Sequence, residues 1–176
     1  LVTEKFEFAI NSGSLSIGCE YVTRENCDDL VRKYCKSEEV DLLSIDIDGN
    51  DFHIWNAITV IKPRVVVMEY NTKFPPPMDW VMAYNDSHWS DKTSYFGASL
   101  TALENLAEAK GYSLVGCTMT GANCFFVRRD LVSEDKFLAP FTAKNHYEPC
   151  RYSLAWKFRS GLKDGVGPFD TSEDLL

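Results

Sequence analysis

The sequence predicts an α/β fold in which a mostly parallel sheet ends in a C-terminal antiparallel hairpin. Two runs, residues 40–47 and 64–70, are almost continuously apolar, as is typical of parallel strands that are covered on both faces. Two later runs, residues 112–118 and 123–129, flank a short turn, which predicts a hairpin. Helical patterns separate the earlier strands, and this alternation is typical of a doubly wound sheet.

Composition narrows the class of protein before any motif is considered. The 176 residues include 18 basic and 26 acidic side chains, for a net charge of −8, which is the opposite of the balance that suits phosphate binding. No apolar run is long enough to span a bilayer, and the first residues do not form a secretory signal. We therefore expect a soluble protein without a membrane span or a nucleic-acid partner. We expect it to be intracellular rather than secreted, in a compartment that the sequence does not identify.

The six cysteines predict structural thiols rather than a metal site. They stand at positions 19, 27, 35, 117, 124 and 150 and form no Cys-x-x-Cys pair, which a zinc ribbon or a thioredoxin-like motif would contain. Cys27 and Cys35 fall on the apolar face of a predicted helix, and Cys124 falls in a predicted strand. Because free cysteine is among the most buried residue types, the sequence predicts reduced thiols inside the fold.

The N-terminal segment is predicted to contain two strands and a helix. Apolar and polar residues alternate over residues 6–10, as in a half-buried strand, and residues 15–22 form a second, weaker strand. Thr23 is the candidate N-cap of an amphipathic helix that ends near Lys36. The apolar face of this helix consists of Cys27, Leu30, Val31, Tyr34 and Cys35.

A turn and a short helix are predicted between the two apolar strands. Residues 48–51, Asp-Gly-Asn-Asp, close the first strand with side chains that favour turns. The short helix that follows has Phe52, Trp55 and Ile58 on one face. Pro63 lies beyond its end and precedes the second strand.

A long connection and a C-terminal extension complete the predicted organisation. Residues 71–94 have no clear period, contain three consecutive prolines and carry several aromatic side chains. Connections of this length are uncommon unless they are functional. A helix from about Ala98 ends at Gly111 and precedes the hairpin. We expect residues 1–130 to form one α/β domain and residues 131–176 to form an extension that packs on it.

Oxygen-bearing side chains follow both apolar strands at the point where each strand ends. Asp46 and Asp48 lie two residues apart and so point to one face of a strand, and Glu69 and Asn71 end the next strand. Ligands of open α/β sheets bind at this edge. Grouped carboxylates raise the pKa of one member or demand a cation, and Mg²⁺ prefers oxygen ligands. Alternatively, Asp48 and Asp51 only shape the turn, and Asp46 only binds backbone amides.

Other polar and aromatic side chains near this edge are also candidates. His53, one turn into the short helix, is a candidate general base, and a packing role is the alternative. Trp80, Tyr84 and Trp89, together with His88, are candidates for an acceptor pocket. Alternatively, these aromatic side chains pin the long connection to the body of the domain.

Several segments resemble the FkbM-like methyltransferases, which use S-adenosylmethionine as the methyl donor. Residues 42–51 resemble the fourth strand and the following turn of that family, and residues 62–71 resemble its fifth strand. The other similar segments are Val22-Thr23-Arg24-Glu25-Asn26, Phe74-Pro75-Pro76, Tyr95-Phe96-Gly97-Ala98-Ser99-Leu100 and Gly111-Tyr112-Ser113-Leu114-Val115-Gly116-Cys117. Together these segments cover roughly residues 20–130. The resemblance implies a Rossmann-like class I methyltransferase sheet, in which the fourth strand lies between the first and the fifth.

The chain departs from that family in its N-terminal part. The family holds its donor with a glycine-rich turn after the first strand and an acidic residue at the end of the second. Here the early glycines, Gly13 and Gly18, form no such turn. The chain therefore resembles the carboxyl-terminal part of the family domain, apparently without its first strands. We expect this chain alone to bind S-adenosylmethionine weakly or not at all. We also expect residues 1–20, an upstream segment or a partner protein to pair with strand 40–47.

The resemblance and the position of the polar residues together assign roles to individual side chains. Asp48 and His53 are the predicted catalytic residues, Asp46 is predicted to contact the donor, and the predicted acceptor-binding residues are Glu69, Asn71, Trp80, Tyr84 and Trp89. Similar positions hold Mg²⁺ in metal-dependent relatives such as catechol O-methyltransferase, which makes Asp46, Asp48 and Asn71 the predicted metal ligands. The implied activity is O-methyl transfer to a small molecule or sugar. The rival prediction is a degenerate, non-catalytic subunit that serves as a scaffold or interaction surface, and the sequence leaves open whether the chain is an enzyme.

Overall fold

A computed structural model describes residues 2–88, 93–151 and 168–176. Its helices are α1 (Val2–Lys5), α2 (Glu7–Asn11), α3 (Cys27–Tyr34), α4 (Asp51–Ala57), α5 (Leu100–Ala109), α6 (Ala143–His146) and α7 (Ser172–Leu175). Its strands are β1 (Leu42–Ile45), β2 (Val65–Glu69), β3 (Val81–Met82), β4 (Tyr112–Cys117), β5 (Asn123–Arg128) and β6 (Phe169–Asp170). None of the helices in these ranges has the length and apolarity that crossing a bilayer requires.

A four-stranded sheet in the order β1-β2-β5-β4 forms the centre of the fold. The pair β1 and β2 is parallel, with Leu42 opposite Val65, and the hairpin strands β4 and β5 are antiparallel in the same sheet. The predictions of the adjacent parallel strands and of the hairpin are therefore confirmed. The prediction of a mostly parallel sheet is wrong, because most of the strand pairs in this sheet are antiparallel. Because β5 lies between β2 and β4 and runs against both, two of the three pairs are antiparallel.

One face of the sheet is fully buried, and the other is only partly covered. Val66 and Met68 of β2 are completely buried and lie opposite Phe126 and Cys124 of β5. The residues that alternate with them along β2 point to the other face and are half-buried. Coverage of both faces was expected for the apolar runs, and β1 departs most from it. It is an edge strand, its second flank pairs with no described residue, and Leu42 is 59% exposed.

The core lies between the buried face of the sheet and helices α4 and α5. The Trp55 ring of α4 lies 5.0 Å from the Phe126 ring and 5.7 Å from the Tyr112 ring, between centroids. The N-cap of helix α5 is Ser99, whose hydroxyl accepts a hydrogen bond from the amide of Ala102. The apolar face of α5 is completely buried. Truncating such a core aromatic side chain typically costs about 3–5 kcal/mol, so these contacts fix α4 on the sheet.

The N-terminal segment does not form the two predicted strands. Residues 6–10 belong largely to the short helix α2, in which the amides of Ile10 and Ser12 donate to the carbonyls of Phe6 and Phe8, and residues 15–22 have no regular structure. None of the described strands pairs with this segment, its amides bond locally, and Phe8 stays 88% exposed. Residues 1–20 therefore do not pair with β1 within the described part of the chain.

Helix α3 forms as predicted but begins later and ends earlier. Its N-cap is Asn26 rather than Thr23, and its last residue is Tyr34 rather than Lys36. The Asn26 side chain accepts from the Thr23 amide at 2.8 Å and donates to the Tyr21 carbonyl. These bonds form a turn before the helix, and the Thr23 carbonyl accepts from the amides of Asn26 and Cys27 at 3.2 and 3.0 Å.

The described parts of the C-terminal extension contact the rest of the chain at several points. Strand β6 pairs antiparallel with β3, where Asp170 lies opposite Val81. The Asp79 carboxylate accepts from the Ser172 amide at 3.0 Å and from the Ser172 hydroxyl at 2.7 Å. Asn105 of α5 donates to the same hydroxyl at 2.7 Å. Helix α6 packs on β4 and α5, so both described parts of residues 131–176 contact the rest of the chain.

Candidate functional site

Four carboxylates lie around the carboxyl ends of β1 and β2. Asp46 directly follows β1, and Glu69 is the last residue of β2. Because these strands are parallel, both residues lie at the same edge of the sheet. Asp48 lies in the turn after β1, and Asp51 is the first residue of α4. The charges of both, like that of Asp46, act on the Glu69 carboxyl. The structure thus brings together three of the predicted site residues: Asp46, Asp48 and Glu69.

Asp51 shapes the turn that holds these carboxylates. Its two oxygens accept from the amide of Gly49 at 2.9 Å and from the amide of Ile47 at 3.2 Å. Burial raises the pKa of Asp51, while these two amide bonds lower it. Asp48 has a φ of 58°, a left-handed conformation that aspartate tolerates better than most residues. The alternative interpretation, a role in the turn, therefore holds for Asp51, while the Asp48 side chain is exposed.

Glu69 has the most perturbed acidity at this edge. Burial, followed by repulsion from Asp46, Asp51 and Asp48, raises the pKa of Glu69 to about 7. Its carboxyl has no hydrogen-bond partner among the residues that the structure describes. A carboxyl group of this kind exchanges its proton near neutral pH, as a general base must.

A loop that precedes the undescribed residues 89–92 lies over the turn. The side chain of Asn50 donates to the carbonyl of Asn85 at 2.7 Å and accepts from its amide at 3.3 Å. His88 donates through Nε2 to the Asp48 carbonyl at 3.0 Å. Sequence reasoning assigned no role to Asn50, because a pair of bonds between positions 50 and 85 leaves no periodic pattern in the sequence. His88, one of the candidates for the acceptor pocket, therefore lies on the loop that covers the turn.

Tyr84 connects the same loop to the segment before α3. Its hydroxyl donates to the Glu25 carboxylate at 3.0 Å and accepts from the Arg24 amide at 3.3 Å. The Arg24 guanidinium lies 4.1 Å from the centroid of the Tyr84 ring, where a cation–π contact is favourable. Tyr84 was predicted to bind the acceptor. The structure uses its hydroxyl and its ring to hold the loop in place.

His53 is buried beneath this loop. Its Nε2 lies 2.7 Å from the Met82 carbonyl, to which it donates, and its ring meets the Tyr84 ring edge to face. Burial lowers the pKa of His53, which keeps the imidazole neutral at pH 7. These contacts support the loop, and the catalytic role of His53 stays a prediction.

Asn71 holds the connection after β2 rather than presenting a free amide. It is buried, and its side-chain nitrogen donates to the carbonyls of Ser94 and Phe96 at 2.8 and 2.9 Å. Its oxygen accepts from the Lys73 amide at 3.1 Å. All three bonds go to the backbone, so Asn71 fixes the path of the loop on both sides of the undescribed residues.

The predicted aromatic pocket is divided between different parts of the molecule. Trp80 is buried and stacks on Phe74, with ring centroids 4.1 Å apart, while Tyr95 meets its edge. This cluster (Phe74, Trp80 and Tyr95) packs the base of the loop. Trp89 lies outside the described residues.

The predicted magnesium ligands do not form a complete set in the described part of the chain. No three His, Cys, Asp or Glu side chains there are close enough to hold a metal ion. Asp46 and Asp48 are exposed, and the third predicted ligand, Asn71, already accepts a hydrogen bond from Lys73. The described residues thus do not fit a Mg²⁺ site, and the metal stays a prediction.

Comparison with known proteins adds no relative. A search of protein families, of curated proteins and of solved structures finds no match to this chain. The site is therefore interpreted from its own residues.

Proposed function

We propose that this chain is the acceptor-side part of an FkbM-like, S-adenosylmethionine-dependent methyltransferase that modifies a hydroxyl group of a small molecule or sugar. The observation that carries the proposal is Glu69, whose pKa near 7 results from burial and from three carboxylates at the carboxyl edge of β1 and β2. The strand order supports it as well. β1-β2-β5-β4 is the order that the fourth, fifth, seventh and sixth strands have in the Rossmann-like class I methyltransferase sheet.

In this proposal Glu69 acts as the general base. An acceptor hydroxyl must lose its proton as its oxygen becomes a nucleophile, and a base works best when its pKa lies near the working pH. The Glu69 carboxylate accepts that proton. Asp46 and Asp48, which are exposed at the same edge, accept hydrogen bonds from other hydroxyl groups of the acceptor and orient it.

The described residues do not form the donor site that this family uses. Residues 2–11 form two short helices rather than a strand and a glycine-rich turn, and the second flank of β1 is unpaired among the described residues. S-adenosylmethionine would supply an electrophilic methyl group. Because this part of the chain does not fit the donor, the contact between Asp46 and the donor rests on the resemblance alone.

The decisive experiment is a methyl-transfer assay on the full-length gene product. It would use S-adenosylmethionine with a labelled methyl group and a panel of sugars and phenols as acceptors. We expect transfer to at least one acceptor, and we expect Glu69→Gln to lower kcat by about 100-fold, the usual range for loss of a general base. The rate should rise as pH passes through about 7, because the ionised carboxylate is the active form.

Glu104→Gln is the matched control for this assay. Glu104 is also a glutamate whose pKa is raised by burial, but it lies on α5 and accepts from the Ala143 amide, away from the carboxylate edge. It should keep wild-type turnover. If Glu69→Gln turns over as fast as the wild type, Glu69 is not the base. Failure to methylate any acceptor would contradict the enzyme proposal.

A second candidate, a non-catalytic interaction subunit, is favoured by the flank of β1 that pairs with no described residue. Beside that flank lies a groove of about 440 Å³ between α3 and β1. Its apolar lining includes Val22, Leu30, Val31, Leu43, Ile47 and Ile61. An exposed strand edge next to apolar surface invites pairing with another chain.

Sedimentation velocity on this chain tests the second candidate. We expect the chain to self-associate as its concentration rises, and we expect Leu42→Lys, which puts a charge on the exposed edge, to restore the monomer. Leu138→Lys is the control, because Leu138 is 76% exposed but lies in the C-terminal extension. A wild-type monomer at all concentrations would contradict the idea that β1 needs a partner.

A further inference from the structure

Two cysteines face each other across the β4–β5 hairpin. Cys117 is the last residue of β4, Cys124 is the second residue of β5, and the two are direct partners in the strand register. Residues directly opposite each other in an antiparallel pair project to the same face. Both thiols are free in the structure, and both pack against the main hydrophobic core.

The hydrogen-bond pattern places this pair at a close position of the ladder. The amide of Thr118 donates to the carbonyl of Asn123 at 2.8 Å, which makes Thr118–Asn123 the hydrogen-bonded pair next to the turn. Because the two kinds of pair alternate, Cys117–Cys124 is a non-hydrogen-bonded pair, whose Cα atoms are typically about 4.5 Å apart. Disulfides span Cα separations of about 4.4–6.8 Å, so the backbone already has a suitable spacing.

The two thiols differ in their access to solvent. Cys124 is completely buried, and its Sγ donates to the Met68 carbonyl at 3.4 Å. Cys117 is only half-buried. Tyr70 and Glu148 are the other titratable groups beside it, and the Tyr70 hydroxyl donates to the Glu148 carbonyl at 2.6 Å. A reagent from solvent therefore reaches Cys117 first and leaves Cys124 as the resolving thiol.

We propose that Cys117 and Cys124 form a reversible disulfide, a redox modification site that is independent of the proposed methyl transfer. The oxidant is a low-molecular-weight disulfide such as oxidised glutathione. The Cys117 thiolate attacks one sulfur of the oxidant, whose S–S bond breaks and releases one glutathione thiolate. The Cys124 thiolate then attacks the Cys117 sulfur and releases the second. The two cysteine protons pass to the released glutathiones, so two cysteines are oxidised as one oxidant is reduced to two thiols.

Burial makes this exchange slow at neutral pH. It raises the pKa of Cys117 to about 12 and that of Cys124 well above its ordinary value. Since only the thiolate attacks, the pair stays reduced until the oxidant is abundant or the exposure long. The cross-link would lie one residue away from the Asn123–Glu69 pair, next to the carboxylate edge.

The sequence allows a direct test by mass spectrometry. Trypsin cuts after Lys110 and Arg128, and no lysine or arginine lies between them, so Cys117 and Cys124 fall in one peptide. The native chain is incubated with oxidised glutathione at mildly alkaline pH, free thiols are blocked with iodoacetamide, and the chain is digested. We expect this peptide to be lighter than its reduced form by two hydrogen atoms and to carry no blocked thiol. Dithiothreitol should return both thiols.

Two variants check the order of the steps. Cys124→Ser removes the resolving thiol and should trap Cys117 as its glutathione mixed disulfide. Cys35→Ser removes another half-buried cysteine, which lines the groove between α3 and β1 at the opposite edge of the sheet from β4, and should leave the yield of the disulfide unchanged. Cys19 and Cys150 are exposed, and their reaction with oxidised glutathione shows that the oxidant is active. The proposal is overturned if iodoacetamide still blocks both hairpin thiols of the wild-type chain after those two cysteines have reacted. It is equally overturned if Cys117 is found joined to any cysteine other than Cys124.

Discussion

The imidazole of His88 lies directly against the backbone of Gly49. A Cβ atom at position 49 would overlap the Cδ2 and Nε2 atoms of that ring and would lie 3.2 Å from the Met82 methyl group. The Gly49 carbonyl also accepts from the Gly97 amide at 3.1 Å. The turn after β1 is therefore in contact with the covering loop on one side and with the start of the α5 region on the other.

Gly49→Ala should displace His88 and destabilise the fold. Forcing a methyl group into an occupied site typically costs about 1–3 kcal/mol, and urea unfolding followed by circular dichroism measures that loss. Gly116→Ala is the control, because a Cβ there would meet no atom within 4 Å, and its stability should match the wild type. Equal unfolding midpoints for both variants would show that the loop moves away at no cost.

Two substitutions of Asp48 separate its backbone role from its carboxylate. Asparagine tolerates the left-handed conformation at φ 58°, whereas alanine there costs about 1–2 kcal/mol. We expect Asp48→Asn to keep wild-type stability and Asp48→Ala to lose stability. Both should lower methyl transfer by the full-length protein, because both remove the charge. Normal turnover of the asparagine variant would reduce Asp48 to a turn residue.

The acidity of Glu69 predicts how stability depends on pH. Its folded-state pKa of about 7 exceeds the ordinary value of 4.5, so the native state binds more protons than the unfolded chain between these two values. Stability should therefore fall as pH rises through this window. Glu69→Gln, which stays neutral, should be more stable than the wild type above pH 7 by about 1–3 kcal/mol.

Unfolding of the two proteins at a series of pH values measures this dependence and contains an internal control. Below pH 4.5 the wild-type glutamate is protonated in both states, so Glu69→Gln and the wild type should unfold alike. The exposed Glu134→Gln should keep the wild-type pH dependence throughout. A Glu69→Gln chain that retains the full slope between these pH values would contradict the raised pKa.

The contact between Ser172 and Asp79 should anchor the C-terminal segment. Ser172→Ala removes a buried hydroxyl that donates to the Asp79 carboxylate and accepts from Asn105. Hydrogen bonds to charged groups are worth about 1.5–3 kcal/mol, so thermal denaturation should show a matching loss. Glu173→Ala, at an exposed neighbour, should melt with the wild type. An equal loss in both variants would assign the effect to the segment as a whole.

The parts of the fold that the sequence predicted are those with a strong local pattern. Residues 65–69 and 123–128 are rich in apolar side chains and are bounded by turns, so their strands could be located to within one or two residues. Residues 6–10 show why such patterns fail. Their alternation suits a strand, but a strand needs a neighbour, and without one the backbone forms the local bonds of α2.

The candidate site was predictable where it depends on strand ends and not where it depends on the loop. Asp46 and Glu69 come together because parallel strands end at the same edge. The hydrogen bonds from Asn50 to Asn85 and from His53 to the Met82 carbonyl link positions that are distant in the sequence. No spacing in the sequence predicts these bonds. The sequence alone therefore does not distinguish a histidine that supports the loop from one that acts as a general base.

The return of the C-terminal segment to β3 has a consequence for local opening. Val81 pairs with Asp170, and the Ala83 amide donates to the Pro168 carbonyl at 3.3 Å. These contacts join distant positions and involve few residues, whereas the four-stranded sheet has a large core. Regions with few buried contacts open without global unfolding. In native-state hydrogen exchange, the amides of Ala83 and Asp170 should therefore exchange together as one unit, ahead of those in β2 and β5, and the site would lose its cover while its carboxylates stay in place.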